Sequence, residues 1–146
     1  MTDTRNDFDF EWVRFLGAEP VEMVAGRCVM RLEPRGVHLN HNTTVNAPVL
    51  YGLAEVAGAG AVAGGMMDLL ATAYVVDKRA DIEYHAPARG TVTGTGVVDP
   101  AVLEAVTADV AAGRPADCEA RVEIADGTGR IVSRVGLTMA IRPRRT

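Results

Sequence analysis

Apolar residues recur with two different periods along the chain, and the change from one to the other predicts a domain of mixed helices and strands. Helical spacing predicts a first short helix over residues 8–16, with Asp7 as its cap. A broken alternation predicts a strand over residues 21–32. The following segment, residues 33–45, is rich in turn formers and predicts a loop.

A long Gly- and Ala-rich segment that begins at Asn46 has the strongest helical pattern, and this pattern continues to about residue 67 or 70. Asn46 and Pro48 are typical of a helix start, because asparagine accepts from free N–H groups and an early proline loses no hydrogen bond. Each glycine inside a helix costs about 1 kcal/mol relative to alanine. We therefore expect this helix to be central and buried, where close contact with a sheet offsets the loss.

The second half of the chain is rich in alternating and β-branched residues, which predict strands at residues 73–76, 81–85, 91–99, 118–125 and 130–141. A helix that starts at Pro100 and ends near residue 112 interrupts this series. Residues 86–90 are expected to join an earlier pair of strands, and residues 126–129 to form a hairpin turn between the last two. Hairpin connections predict a mostly antiparallel sheet with the helices on one face, so the expected fold class is α+β.

The totals restrict the class of protein. A length of 146 residues matches one domain, so residues 1–146 are expected to form a single unit. The net charge of −4 predicts no dominant attraction to nucleic acid or anionic lipid. The polar, acidic N-terminus is unlike a secretory signal, which makes the cytoplasm the expected compartment. The apolar run at residues 45–67 is not expected to span a membrane, because it contains Glu55 and consists largely of Gly and Ala.

Glu55 is the most informative single residue, because it is a carboxylate among apolar neighbours inside the central helix. Partial loss of water at such a position would raise the pKa of Glu55 toward the range of a general base. The alternative is a glutamate that only forms a pair at a subunit contact. The functional interpretation is favoured, since buried charges usually have a partner or a task.

The loop before this helix concentrates neutral hydrogen-bonding side chains. They are His38, Asn40, His41, Asn42, Thr43, Thr44 and Asn46. Such a cluster suits a polar substrate, and the free N–H groups at the helix start would stabilise negative charge on an oxygen. For Asn46, a role as a simple cap has at least as much support as a catalytic role.

Other chemistries have weaker support in the sequence. Residues 58–63 match a relaxed dinucleotide fingerprint, with Asp77 at the place of a ribose-binding acid, but they lie inside a helix rather than after a strand. The three histidines lack the spacing of a metal site, so neither a metal nor a cofactor is expected. Ser133 is the only serine and has no nucleophile-elbow setting.

The segment from Asn40 to Glu55 reads NHNTTVNAPVLYGLAE and precedes a Gly- and Ala-rich stretch. It resembles the hotdog-fold thioesterases, in particular the phenylacetate-pathway type. The order of elements between Phe8 and Ile141 is also similar, as is the segment DIEYHAPARG at residues 81–90. The resemblance implies a hotdog fold, in which an antiparallel sheet wraps around the central helix. It also implies hydrolysis of an acyl-CoA or another acyl thioester.

The resemblance further implies roles for individual residues. Glu55 matches the family's catalytic acid, which acts as a base for water or as a nucleophile, and Asn40 matches the loop residue that positions water or the carbonyl. Ala47 falls where a backbone N–H polarises the thioester oxygen. The expected substrate-binding residues are Asn46, His41, Tyr51, Gly58, Ala59 and Arg89.

In this family a neighbouring subunit completes the site, so the resemblance implies a homodimer or a homotetramer. The sequence departs from the family at two places. Residues 46–48 replace a His-Gly-Gly motif, and Ala59 stands where some members have a hydroxyl that assists catalysis. These departures keep open a second interpretation, a noncatalytic protein of the same fold that binds acyl thioesters or acts as a dimeric scaffold.

Overall fold

Helices and strands alternate along the computed structural model, which describes residues 9–145. The helices are α1 (Glu11–Leu16), α2 (Ala47–Ala63) and α3 (Pro100–Ala111). The strands are β1 (Ala18–Val24), β2 (Arg27–Leu32), β3 (Ala73–Tyr84), β4 (Val92–Val97), β5 (Ala116–Ala125) and β6 (Ile131–Pro143). Two short 3₁₀ turns, Gly36–His38 and Met67–Leu69, lie before and after α2.

The six strands form one antiparallel sheet in the order β1-β2-β4-β5-β6-β3, so β1 and β3 are its edges within the described residues. Helix α2 packs against the middle of this sheet and contacts β2, β4 and β5 most extensively. Its residues Leu53, Ala57 and Val62 are fully buried. The predicted α+β class, the antiparallel sheet and the central buried helix are therefore confirmed.

Glycine allows α2 to approach the sheet closely, as the sequence predicted. A Cβ added to Gly58 in α2 would overlap the side chain of Leu137 on β6. A Cβ added to Gly96 in β4 would overlap the backbone carbonyl of Ala57. Because a carbonyl in a helix cannot move aside as a side chain can, Gly96 sets the distance between helix and sheet.

The predicted strand over residues 21–32 is wrong in one respect, because the structure contains a hairpin there. β1 and β2 pair with each other across a turn in which Gly26 has a φ of 77°, a conformation that favours glycine. Helix α2 also ends earlier than predicted, at Ala63 rather than residue 67 or 70. A Cβ added to Gly64 would lie only 2.7 Å from the carbonyl oxygen of Val24, so the chain passes close to the hairpin where the helix ends.

The strands predicted at residues 73–76 and 81–85 form one continuous strand, β3, with a bulge between Asp77 and Arg79. Charged side chains interrupt the alternation at the bulge, but one edge of β3 is unpaired and tolerates them. Residues 86–90 join β3 to β4, which are not neighbours in the sheet, so the prediction that they join a strand pair is wrong.

The remaining elements agree with the sequence. The side chain of Asp99 caps α3 by accepting from the backbone N–H groups of Ala101 and Val102 at 2.9 and 3.1 Å. The turn at residues 126–129 joins β5 to β6 as predicted. Helix α1 begins at Glu11, and the proposed cap Asp7 lies outside the described residues.

Candidate active site

Glu55 lies in the middle of α2 and is partly buried. Its carboxylate has no hydrogen bond or ion pair within residues 9–145, although it is partly removed from water. Burial, and secondly the negative charge of Asp77, raise the pKa of Glu55 to about 7. A pKa in this range is favourable for a group that transfers protons near neutral pH.

A phenol and a second carboxylate lie near this position. The hydroxyl of Tyr51, one helical turn before Glu55, donates to Oδ2 of Asp77 on β3 at 2.8 Å. Burial, together with the bond to Asp77 and its charge, raises the pKa of Tyr51 to about 12. Burial also raises the pKa of Asp77, against the opposing effect of the bond from Tyr51. Glu55 thus shares its surroundings with an acid that the sequence analysis did not assign to the site.

The start of α2 presents a free backbone donor. Ala47 is the first residue of the helix, and its N–H forms no hydrogen bond within the described part of the chain. Pro48 has no N–H, so the backbone N–H of Ala47 is the donor at the first turn that lies nearest the start of the helix. The side chain of Asn46 forms no cap hydrogen bond, which makes the predicted side-chain cap wrong; its backbone carbonyl instead accepts from Val49 N at 2.9 Å.

A cleft of about 380 Å³ lies beside this helix start, and we call it the helix-start cleft. Asn40, Ala47 and Leu50 line it on one side, and Tyr84 and His85 at the end of β3 line it on the other. The hydroxyl of Tyr84 donates to the carbonyl oxygen of Ala47 at 3.3 Å. The cleft therefore brings together two of the three predicted catalytic residues, Asn40 and Ala47.

Asn40 organises the loop that forms one wall of this cleft. Its Oδ1 accepts from the backbone N–H groups of Asn42 at 2.9 Å and Thr44 at 3.2 Å. Its Nδ2 donates to Oγ1 of Thr44 at 2.9 Å. The same loop holds Thr43 at a φ of 59°, which is unusual for a residue with a side chain. These bonds fix the position of Asn40 and also occupy both polar atoms of its amide.

Eight positions separate Ala47 from Glu55 along α2. At a rise of 1.5 Å per residue they lie about 12 Å apart along the helix axis. A single thioester carbonyl cannot touch both groups from one copy of the chain. The helix-start cleft and the surroundings of Glu55 are therefore separate places in the monomer.

The predicted substrate-binding residues other than Asn46, which directly precedes α2, fall into three groups. Tyr51 and Ala59 lie one turn on either side of Glu55. His41 and Arg89 are exposed beside the helix-start cleft, and Nη1 of Arg89 donates to Oγ1 of Thr43 at 3.3 Å. Gly58 is buried in the core, where an added Cβ would overlap the side chain of Leu137.

Three residues of interest were missed or underrated in the sequence. Asp77 was considered only as a ribose-binding acid, and its partner Tyr51 lies 26 positions away, so no local pattern connects them. Tyr84 carried no signal beyond its place at a strand end. His38 was one of several polar loop residues, yet it is 4% exposed and its Nε2 is buried without a partner.

The family of this chain can be identified from its sequence. A family model described as a domain of unknown function, DUF4442, matches residues 10–141. The chain belongs to the DUF4442 family. A comparison with curated proteins gives no match to this DUF4442 chain. Within residues 9–145, none of its helices is long and apolar enough to cross a bilayer.

Solved structures similar to this DUF4442 chain show its fold. A protein of unknown function from Pseudomonas aeruginosa, described as a probable thioesterase, is 18% identical with a TM-score of 0.81, and the match covers 96% of this chain and 93% of that one. The E. coli PaaI protein of the phenylacetic acid degradation operon is 19% identical with a TM-score of 0.70, covering 92% and 89%. The phenylacetic acid degradation protein PaaI from Thermus thermophilus is 20% identical with a TM-score of 0.69, covering 91% and 99%. These similarities confirm the predicted hotdog fold.

Proposed function

We propose that this DUF4442 protein hydrolyses an acyl thioester, of coenzyme A or of a carrier protein, to the free acid and the thiol. The main support is the state of Glu55, a partly buried carboxylate without a partner among residues 9–145, whose pKa burial raises to about 7. Such a group lowers the stability of the fold, and carboxylates with strongly raised pKa values are concentrated at functional sites. The description of one protein with the same fold as a probable thioesterase agrees with this choice of reaction.

The reaction needs two copies of the chain. Because about 12 Å of helix separates Ala47 from Glu55, a complete site combines Glu55 of one subunit with the partner subunit's Ala47. The unpaired edge of β3 offers a contact for this association, since it carries the exposed side chains of Tyr74, Val76 and Tyr84. A homodimer, or a homotetramer built from two of them, therefore follows from the proposed chemistry.

In the first form of the mechanism, Glu55 acts as a base. Its carboxylate takes a proton from water while the water oxygen bonds to the thioester carbon, and the carbonyl electron pair moves onto oxygen. The partner subunit's Ala47 N–H stabilises this oxyanion at the positive end of its helix. When the carbonyl re-forms, the carbon–sulfur bond breaks and the thiolate receives the proton that Glu55 held.

In the second form, Glu55 acts as a nucleophile. Its carboxylate oxygen bonds to the thioester carbon, the thiolate leaves, and water then hydrolyses the resulting anhydride to the free acid and Glu55. Both forms need the ionised carboxylate and the same oxyanion donor. When water attacks the Glu55 carbonyl carbon of this anhydride, oxygen-18 from labelled water enters Glu55 in a single turnover, which the first form does not allow.

A second candidate function is binding of an acyl thioester without hydrolysis. It is favoured by one observation, the occupation of both amide atoms of Asn40 by the loop that it organises. Asn40 then positions the loop but has less capacity to hold water. Ala59, one turn after Glu55, also has no hydroxyl to contribute.

Thiol release from a panel of acyl-CoA thioesters separates the two functions. The hydrolase predicts release by the parent protein and a loss of at least about 100-fold in Glu55→Gln, because removal of a general base or nucleophile costs this much or more. Glu104→Gln is the matched control, since Glu104 is an exposed glutamate on α3, neither on the helix of Glu55 nor in the lining of the helix-start cleft. Saturable binding of acyl-CoA without release across the panel would favour the second candidate.

A further inference from the structure

A groove of about 420 Å³ lies between α1, the 3₁₀ turn Gly36–His38 and the first turn of α2, and we call it the α1 groove. Its walls are mainly apolar, and Trp12, Phe15 and Val37 are 45%, 76% and 79% exposed. Glu55 does not line it. The α1 groove is therefore distinct from the position at which the proposed hydrolysis takes place.

His38 contributes an unsatisfied donor to this groove. His38 is 4% exposed, and its Nδ1 accepts a hydrogen bond from the backbone N–H of Arg35 at 2.9 Å. Because Nδ1 is an acceptor, the neutral ring carries its proton on Nε2. That Nε2 is the one buried side-chain nitrogen or oxygen within residues 9–145 that has no hydrogen-bond partner. A buried N–H donor of this kind calls for an acceptor atom.

The guanidinium of Arg35 lies near the Nε2–H donor of His38. A Cβ placed on Gly17 would be 3.9 Å from Nη2 of Arg35 and 3.9 Å from Nε2 of His38, so both nitrogens lie within reach of one point beside Gly17. Among residues 9–145, Arg35 has no ion-pair partner, whereas Arg14 across the groove is paired with Asp9 at 3.3 Å. A guanidinium and an N–H donor near one point can each bond one oxygen of a carboxylate.

We propose that the α1 groove binds a medium-chain fatty carboxylate, with its hydrocarbon chain along Trp12 and Phe15 and its carboxylate on Arg35 and the Nε2–H of His38. The apolar walls remove the chain from water, and the carboxylate satisfies the two nitrogens that a purely apolar occupant would leave without an acceptor. This proposal does not depend on hydrolysis by Glu55, because neither site contains a residue of the other.

Trp12 is the only tryptophan, so its fluorescence reports directly on the α1 groove. Octanoate should shift the emission of the parent protein saturably, and 1-octylamine, which has the same chain and the opposite charge, should not. Arg35→Met keeps an apolar stem and removes the charge, so octanoate affinity should fall about tenfold or more. Arg121→Met is the matched control, because Arg121 is an exposed arginine on β5 far from this groove in the sequence and absent from its lining.

Two further measurements make the result independent of the folding of the variant. The Nε2–H proton signal of His38 in the parent protein should shift on addition of octanoate. Glu55→Gln should bind octanoate as the parent does, whether or not the parent hydrolyses thioesters. Equal binding of octanoate and octylamine, or unchanged octanoate affinity in Arg35→Met, would overturn the proposal. Trp12 emission that depends on protein concentration and not on octanoate would assign the groove to a second copy of the chain instead.

Discussion

The hydroxyl of Tyr51 donates a 2.8 Å hydrogen bond to Oδ2 of Asp77, and this contact joins the central helix α2 to the edge strand β3. It holds the charge of Asp77 near Glu55, where that charge adds to the effect of burial on the pKa of Glu55. The edge strand β3 thus helps to raise the pKa of Glu55, and it also presents an exposed surface.

Replacing Asp77 with asparagine should move the pH dependence of hydrolysis to lower pH. The negative charge of Asp77 raises the pKa of Glu55, so its removal lowers that pKa and ionises Glu55 in more acidic solution. The acidic limb of the kcat/KM profile, which follows the ionisation of the free enzyme, reports this shift and should have its midpoint near 7 in the parent. Asp81→Asn is the control, because Asp81 is an exposed aspartate on the same strand. An unchanged midpoint in Asp77→Asn would show that the two carboxylates are not coupled.

Glu55 should also make the stability of the protein depend on pH. Burial raises the folded-state pKa of Glu55 to about 7, from an ordinary value of 4.5. Below pH 4.5 the carboxyl is protonated in both the folded and the unfolded protein. The folded protein then loses stability as the pH rises through the folded-state pKa of about 7. Between pH 5 and pH 8 the parent should lose about 1 to 2 kcal/mol of unfolding free energy relative to Glu55→Gln, a figure reduced for the water that still reaches the side chain. Urea unfolding of both proteins at the two pH values measures this loss. The prediction would be contradicted if the difference in unfolding free energy between the two proteins were the same at both pH values.

Gly96→Ala should be strongly destabilising. The new methyl group would overlap the backbone carbonyl of Ala57, so β4 and α2 would have to separate. Such strain costs about 1 to 3 kcal/mol or more, which thermal unfolding would detect as a lower Tm. Gly136→Ala on β6 is the matched control, since a Cβ there meets nothing within 4 Å. Equal Tm values for the two variants would mean that helix and sheet are less closely packed at Gly96.

A charge placed on the free edge of β3 should prevent association. Val76 is 48% exposed on that strand, and Val76→Lys would place an ammonium group in the proposed subunit contact. Light scattering should then detect monomers, and thioester hydrolysis should fall with the loss of the composite site. Val97→Lys is the control, because Val97 is 41% exposed on β4, inside the sheet rather than at its edge. An associated and fully active Val76→Lys protein would place the contact elsewhere.

The parts of the fold that could be predicted from the sequence are those with local signals. Pro48 and Pro100 mark helix starts that the structure places at Ala47 and Pro100, and the glycines of α2 predicted its close contact with the sheet. The β1–β2 turn was missed because it needs only Ala25 and Gly26 between two strands of similar pattern. The charges at residues 77–79 looked like a break because an edge strand tolerates polar side chains that a central strand would not.

The candidate site was predictable only in part, for a related reason. Glu55 stands out because a carboxylate among apolar helix residues is a local contrast. Asp77 does not stand out in the sequence, because its effect on the pKa of Glu55 depends on a contact with Tyr51, 26 positions away. The orphaned Nε2 of His38 likewise depends on a tertiary arrangement, in which Nδ1 is already bonded to Arg35 N and Gly17 lies beside the ring.

Subunit complementation tests the composite site most directly. Glu55→Gln removes the carboxylate, and Ala47→Pro removes the N–H at a position where proline is compatible with a helix start. Each variant alone should be inactive. In an exchanged mixture, half of the dimers contain one of each subunit and one intact site, so about a quarter of the parent activity should return. A mixture as inactive as its components, or a Glu55→Gln variant as active as the parent, would contradict hydrolysis by Glu55 with the partner subunit's Ala47.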